Sequence, residues 1–147
     1  MVFSNGYSSS FLNAAVSSMN DWGTTDLNTA RDTSLSYLET DVHFWPDNTL
    51  TDTNTLANTD CLTAVNWLRC GAYQVRVRPD VYQGGYNLAK AVVCHETGHT
   101  IGLLHGNQSN PQVANQNLDL GCMRTQPLDG QMRFIGEHNL WEADRMY

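Results

Sequence analysis

Positive charge is scarce in this sequence. Lys90 is the only lysine, and the 147 residues include 8 basic and 15 acidic side chains, which gives a net charge of −7. A protein that binds nucleic acid needs a basic surface to neutralise phosphates. The composition therefore excludes a binding surface of that kind. An acidic chain rich in Asn and Thr is typical of a secreted protein, and we expect an extracellular one.

Long apolar runs are also missing. No stretch reaches the roughly 18 apolar residues that a membrane helix needs, and no charged and then apolar leader opens the chain. We therefore expect neither a membrane span nor a signal peptide within these residues. A chain of 147 residues is long enough to bury its own core. We expect a single domain, 1–147, that is a monomer.

Cysteine is sparse but even in number, with Cys61, Cys70, Cys94 and Cys122. Three pairings are possible. Proximity favours a bond from Cys61 to Cys70, which leaves Cys94 to pair with Cys122, and such bonds would imply an oxidising compartment. The alternative is that Cys94 or Cys122 binds a metal. On a helix, however, Cys94 would point about 100° away from His95, its neighbour in the chain.

Hydrophobic periodicity predicts an α+β fold. Helical spacing of apolar residues indicates a first helix from the serines at 8–10 to Trp22. Alternation or short apolar runs predict a remnant strand at the amino terminus and strands at 33–38, 41–45 and 73–78. His43 lies in the second of these three strands, and we expect it to be structural. Segment 55–58 is either an edge strand that could hold extended peptide by strand addition or a plain surface loop.

The remaining elements follow from turn and cap residues. We expect a small disulfide-bridged excursion at 61–70, a helix at 88–103 capped by Asn87, and a loop at 106–120. The chain should close with an amphipathic helix at 136–147, with Leu140, Trp141 and Met146 facing inward.

The segment 95–105 reads H-E-T-G-H-T-I-G-L-L-H. On a helix, His95 and His99 lie at i and i+4, so both imidazoles project from one face and can share a metal ion. Gly102 can adopt the left-handed conformation that ends a helix, which would let His105 turn back towards the same ion. Glu96 lies beside these ligands without having to be one. The segment predicts a zinc site with its own general base, although a His-rich surface helix would share some of the pattern.

The spacing H-E-x-x-H-x-x-G-x-x-H resembles the signature of the metzincin clan of zinc endopeptidases. The resemblance implies a mixed twisted sheet of four to five strands with an N-terminal helix and an active-site helix (1–105), then a small C-terminal part (106–147) with a Met-turn and a terminal helix. Met123 would be the Met-turn residue. Thr125 stands where astacin-like enzymes have a zinc-reaching Tyr, so we expect no tyrosine switch. The chain looks most like a compact, bacterial, matrixin-like form, and a calcium requirement stays open.

Three imidazoles leave Zn²⁺ a fourth position for water, whose pKa then falls towards about 7. We expect Glu96 to activate this water in an endopeptidase that hydrolyses peptide bonds in proteins. The alternatives are a non-catalytic, zinc-stabilised peptide-binding domain and a zinc hydrolase of non-protein amides. Ala91, one turn before His95, should line the pocket for the residue after the cut, together with Pro127 and Leu128. We expect that pocket to prefer medium-to-large apolar side chains.

Overall fold

The computed structural model describes residues 1–31, 41–66, 69–125 and 132–147. These residues form an α+β fold with a four-stranded mixed sheet and four helices, as the periodicity predicted. The strands are β1 (Val2–Phe3), β2 (Val42–Pro46), β3 (Ala57–Asn66) and β4 (Arg69–Val77). The helices are α1 (Ser9–Trp22), α2 (Pro79–Tyr82), α3 (Tyr86–Thr100) and α4 (Glu137–Met146). Within the described ranges, no helix combines the length and the apolar character that a membrane crossing requires.

The sheet has the strand order β1-β2-β4-β3. β1 pairs parallel with β2, β2 pairs parallel with β4, and β3 pairs antiparallel with β4, so β3 forms one edge of the described sheet. Of the two alternatives for 55–58, the edge strand is therefore the correct one, although it starts at Ala57 and continues to Asn66. The excursion predicted at 61–70 is bridged as expected, but its described residues are not a separate loop, because 61–66 belong to β3 and 69–70 belong to β4. The disulfide between Cys61 and Cys70 joins these two strands.

The larger apolar cluster, the sheet core, lies between the sheet, α1 and the first half of α3. Phe44, Val75 and Val77 contribute from the strands, and Phe11 from α1. Ser8 caps α1 by accepting a hydrogen bond from the Phe11 N–H at 3.2 Å. The other buried members are Phe3, Ala14, Ala15, Met19, Val42, Val81, Tyr82, Ala89, Val92 and Val93.

The second apolar cluster, the site core, lies at the other end of α3. It consists of Trp22, Cys94, Leu103, Leu120, Cys122, Met123 and Ala143. Most of its members come from the end of a helix or from irregular chain after α3. The disulfide between Cys94 and Cys122 lies in this cluster. Together with the Cys61–Cys70 bond, it confirms both predicted cysteine pairs. Two disulfides fit an oxidising compartment.

Helix α3 differs at both ends from the prediction of 88–103 with an Asn87 cap. It begins at Tyr86 after the N-cap residue Gly85 and ends at Thr100. The apolar pattern continued to Leu103 because Leu103 is buried in the site core, not because it is helical. In the sequence, a buried apolar residue just after the helix cannot be distinguished from a buried residue on the helix.

Helix α4 confirms the predicted element but not its inward face. Trp141 and Met146 are about half exposed, whereas Asn139, Glu142 and Ala143 are buried. Hydrogen bonds of polar side chains explain which face is buried. The Asn139 amide donates to the Leu120 carbonyl at 2.5 Å, and Glu142 accepts a hydrogen bond from the Asn110 N–H at 3.0 Å. These contacts fix the rotation of the helix against the loop before it.

Some predictions fall on residues that the structure does not describe. These are the strand at 33–38 and the two pocket residues Pro127 and Leu128.

Candidate metal centre

The side chains of His95, His99 and His105 converge on one point. The Nε2 atoms of His95 and His99 are 3.1 Å apart, and those of His95 and His105 are 3.2 Å apart. One ligand atom from each of the three residues lies within 4.8 Å of the other two. Two nitrogens bound tetrahedrally to zinc at 2.0–2.1 Å would be about 3.3 Å apart. The three imidazoles could therefore hold a metal ion.

In two of these rings, a contact at Nδ1 shows that Nε2 is the nitrogen available to a metal ion. His95 Nδ1 lies 2.7 Å from the Cys122 carbonyl oxygen, and His99 Nδ1 lies 2.9 Å from the Leu103 carbonyl oxygen. A carbonyl only accepts, so each Nδ1 carries the proton and each neutral ring presents a lone pair at Nε2. Two lone pairs held 3.1 Å apart repel each other unless a cation lies between them. This arrangement fits a metal site better than an ordinary hydrogen-bonded cluster.

The surroundings of His95 and His105 favour the neutral form of both rings. Burial, assisted by the nearby His99 ring, lowers the pKa of His95 to about 4. Burial and the rings of His95 and His99 lower the pKa of His105 to about 4 as well. Metal ions bind unprotonated imidazole, so a low pKa leaves these nitrogens available at neutral pH.

The sharp end of α3 brings the third histidine into reach. Gly102 has a φ of +91°, a left-handed conformation that residues with a Cβ rarely adopt. The Gly102 N–H donates to the His99 carbonyl at 3.1 Å, and the Leu103 N–H donates to the Gly98 carbonyl at 3.0 Å. These two bonds form a Schellman motif, which turns the chain away from the helix axis. The predicted role of Gly102 agrees with this geometry.

The site core packs against the part of α3 that carries His95 and His99. The Cys94–Cys122 bond ties the residue before His95 to the residue whose carbonyl holds the His95 ring. Because both sulfurs are in this bond, the alternative that either cysteine binds the metal is wrong. Met123 is fully buried, and its sulfur packs so closely on Gly98 that an added methyl group at that glycine would overlap it.

Glu96 lies next to the three imidazoles but outside the donor group. Its side chain is 6% exposed, and Oε2 accepts a hydrogen bond from the Thr59 hydroxyl at 2.5 Å. Burial raises the pKa of the Glu96 carboxyl, while the Thr59 hydrogen bond and the rings of His99 and His105 act in the opposite direction. A carboxylate with one oxygen bound by Thr59 still has the other free to accept a proton.

The structure thus brings together the histidines, Glu96 and Met123, and adds partners that the sequence did not reveal. Thr59 is 37 residues from Glu96 in the chain, and no local spacing pattern points to it. Gly98 and the Cys122 carbonyl were also missed, although Gly98 lies inside the motif. Ala91 has no exposed surface, so the prediction that it lines a substrate pocket receives no support.

Comparison of the chain with models of known protein families, with curated protein sequences and with solved structures found no match. The function is therefore inferred from the geometry of this site.

Proposed function

We propose that this protein is a zinc-dependent endopeptidase of the metzincin type. His95, His99 and His105 would hold the ion, and Glu96 would act as the general base and acid. The donor set of three imidazoles favours zinc among the biological metals that bind nitrogen ligands. The resemblance leads us to expect a Met-turn below the histidines. Met123 suits this role because it is buried and packs on Gly98 of the helix that carries two of them.

The observation that carries this proposal is an incomplete ligand set beside a buried carboxylate. Among the described residues, the group of potential ligands contains the three histidines and no fourth His, Cys, Asp or Glu. Structural zinc sites are normally closed by a fourth protein ligand, whereas catalytic sites keep that position for water or substrate. Glu96 is buried next to this open position and is not itself a ligand.

The chemistry of the residues suits peptide hydrolysis. Bound zinc supplies a Lewis acid that acidifies water and polarises a carbonyl group. The free Glu96 oxygen would accept the proton of the attacking water and later deliver it to the leaving amine nitrogen. The carbonyls of Cys122 and Leu103 would keep two of the ligand rings in the correct orientation and tautomer.

The edge of the sheet favours an extended peptide as the substrate. β3 is an edge strand of the described sheet, and Thr59 in this strand touches Glu96. An exposed edge offers backbone N–H and C=O groups that can pair with an incoming strand. A substrate held there would pass close to the general base. The two disulfides support a site of action outside the reducing cytosol.

Two other functions would use part of this site. A zinc-stabilised peptide-binding domain would need the histidines and the edge strand but would have no use for Glu96. A hydrolase of non-protein amides would need Glu96 but not the edge strand.

Hydrolysis of casein and of a peptide panel by the zinc-loaded protein, with a chelated sample as the control, separates the three functions. We expect cleavage of both substrates that stops on chelation. The variant Glu96→Ala should keep its zinc yet lose about 10²–10⁴-fold in rate, because proton transfer is lost while the ligands remain. Cleavage of the small peptides without cleavage of casein would indicate a hydrolase of small amides, and zinc binding without any cleavage would indicate the binding domain. A Glu96→Ala variant with the wild-type rate would refute the mechanism.

A further inference from the structure

We propose that Thr59 is a positioning residue for Glu96 and couples the edge strand to the general base. The inference rests on the proposed function of this site. It assigns a role in catalysis to a strand residue that lies far from the histidine motif in sequence.

The contact is specific to this one position of the strand. Thr59 pairs with Val75 of β4, and its hydroxyl crosses to α3, where it donates to Glu96 Oε2 at 2.5 Å. Side chains alternate between the faces of a strand. The neighbouring Asn58 and Asp60 accordingly interact with each other, and Arg76 donates to Asp60 at 2.8 Å. Of these three consecutive residues, Thr59 is the one that hydrogen bonds to Glu96.

The hydrogen bond restricts a side chain that is otherwise flexible. A glutamate has three rotatable bonds, and a hydroxyl donor at one carboxylate oxygen limits the positions that the other oxygen can take. Hydrogen bonds to ionised groups are shorter and stronger than neutral ones. The bond also survives the catalytic cycle, because a proton taken up on Oε1 leaves Oε2 as an acceptor for Thr59. Thr59 can therefore hold Glu96 in place both before and after proton transfer.

The coupling to the sheet edge follows from the location of Thr59. A peptide that pairs with β3 would add its strand beside the one that carries this hydroxyl. Binding of substrate at the edge and orientation of the base would then depend on the same strand. A base that is misplaced by a small distance loses much of its effect on the rate.

The test compares Thr59→Val, which keeps the shape of the side chain but removes the donor, with Thr59→Ser, which keeps the donor. We expect Thr59→Val to lower kcat about ten- to hundredfold with little change in KM, and Thr59→Ser to retain most of kcat. Thr49→Val is the matched control, because the Thr49 hydroxyl also donates to a carboxylate, that of Asp47 at 2.6 Å, on an exposed turn. It should leave kcat unchanged, and the zinc affinity of all three variants should equal that of the wild type.

A second readout does not depend on activity. In the metal-free protein, the effects of Thr59→Val and Glu96→Ala on the unfolding equilibrium constant should be non-additive, because the two changes remove the same contact. Additive effects would overturn the inference, whatever the activity.

The possible failures are distinguishable. A wild-type protein that cleaves peptides, with a Thr59→Val variant of equal kcat, would overturn the role of Thr59 and leave the proposed function intact. A wild-type protein without any hydrolytic activity would overturn the proposed function and, with it, the role of Thr59 in catalysis.

Discussion

The two apolar clusters are built from different kinds of chain, although helix α3 joins them. The buried members of the sheet core all lie on strands and helices. The site core is about half as large and draws on helix ends, a disulfide and loop residues. Among the described residues, the hydrogen bonds to the three histidines come from the site core and not from the sheet core, through the carbonyls of Cys122 and Leu103. The comparison leads us to expect that both cores stabilise the fold, whereas the site core alone also positions the three histidines.

The largest change in stability should come from the sheet core. Phe44 is a fully buried member of this cluster. Phe44→Ala should lower the free energy of unfolding by about 3–5 kcal/mol, because it removes a large apolar side chain and leaves a cavity. Urea unfolding of the metal-free protein measures this loss. Zinc affinity of the folded variant should stay at the wild-type value, and a parallel loss of affinity would show that the two cores are not separable.

The disulfides provide the sharpest contrast. Replacing Cys94 and Cys122 by serine should cost about 3–4 kcal/mol and replacing Cys61 and Cys70 slightly less, since the separations are 28 and 9 residues. Zinc affinity should fall about 10–100-fold in the first variant alone, because only that bond positions the carbonyl that orients His95. Chelator competition measures both affinities. Equal affinities in the two variants would remove the special role of the site core.

A smaller effect is expected for Gly98→Ala. The added methyl group would overlap the Met123 sulfur, so the methionine would have to move. We expect a loss of about 1–3 kcal/mol in unfolding free energy, together with weaker zinc binding. Gly85→Ala is the control, because an added methyl group there meets no atom within 4 Å. If Gly98→Ala binds zinc as tightly as the control does, zinc binding does not depend on the packing of Met123 against Gly98.

The smallest effect on stability at neutral pH should come from the charge of His105, and this effect should increase as the pH falls. The folded, metal-free protein holds the pKa of His105 at about 4, below its ordinary value of 6.5. The unfolded chain therefore binds this proton first, and stability should fall as the pH drops from about 6.5 to 4. His105→Gln should reduce this pH dependence, measured by urea unfolding between pH 7 and pH 4. An identical dependence in wild type and variant would contradict the shift.

The sequence was sufficient for the parts of the site that follow a local rule. The i and i+4 spacing of His95 and His99 and the left-handed turn at Gly102 both have a fixed geometry, and the structure agrees with them. Alternation likewise located β4, where the buried Val75 and Val77 share one face, and a short apolar run located β2. Pairing of the four cysteines followed from proximity and elimination.

The remaining features depend on contacts between distant segments. The Thr59 hydroxyl meets Glu96 only after β3 has paired at the sheet edge, which no local pattern in the sequence records. The rotation of α4 is set by the hydrogen bonds of Asn139 and Glu142 and not by its apolar residues. Trp141 is therefore about half exposed, whereas its hydrophobicity alone predicts that it is buried.

Zinc binding tests the central claim, that three histidines form one metal centre, most directly. The measurement is a zinc titration in competition with a chromophoric chelator, on the wild type, on His99→Ala and on His138→Gln, a histidine outside the donor group. We predict that the wild type and His138→Gln each bind a single zinc ion, whereas His99→Ala binds too weakly to compete. A wild type that takes up no zinc, or a His99→Ala variant that binds as tightly as the wild type, would contradict the account.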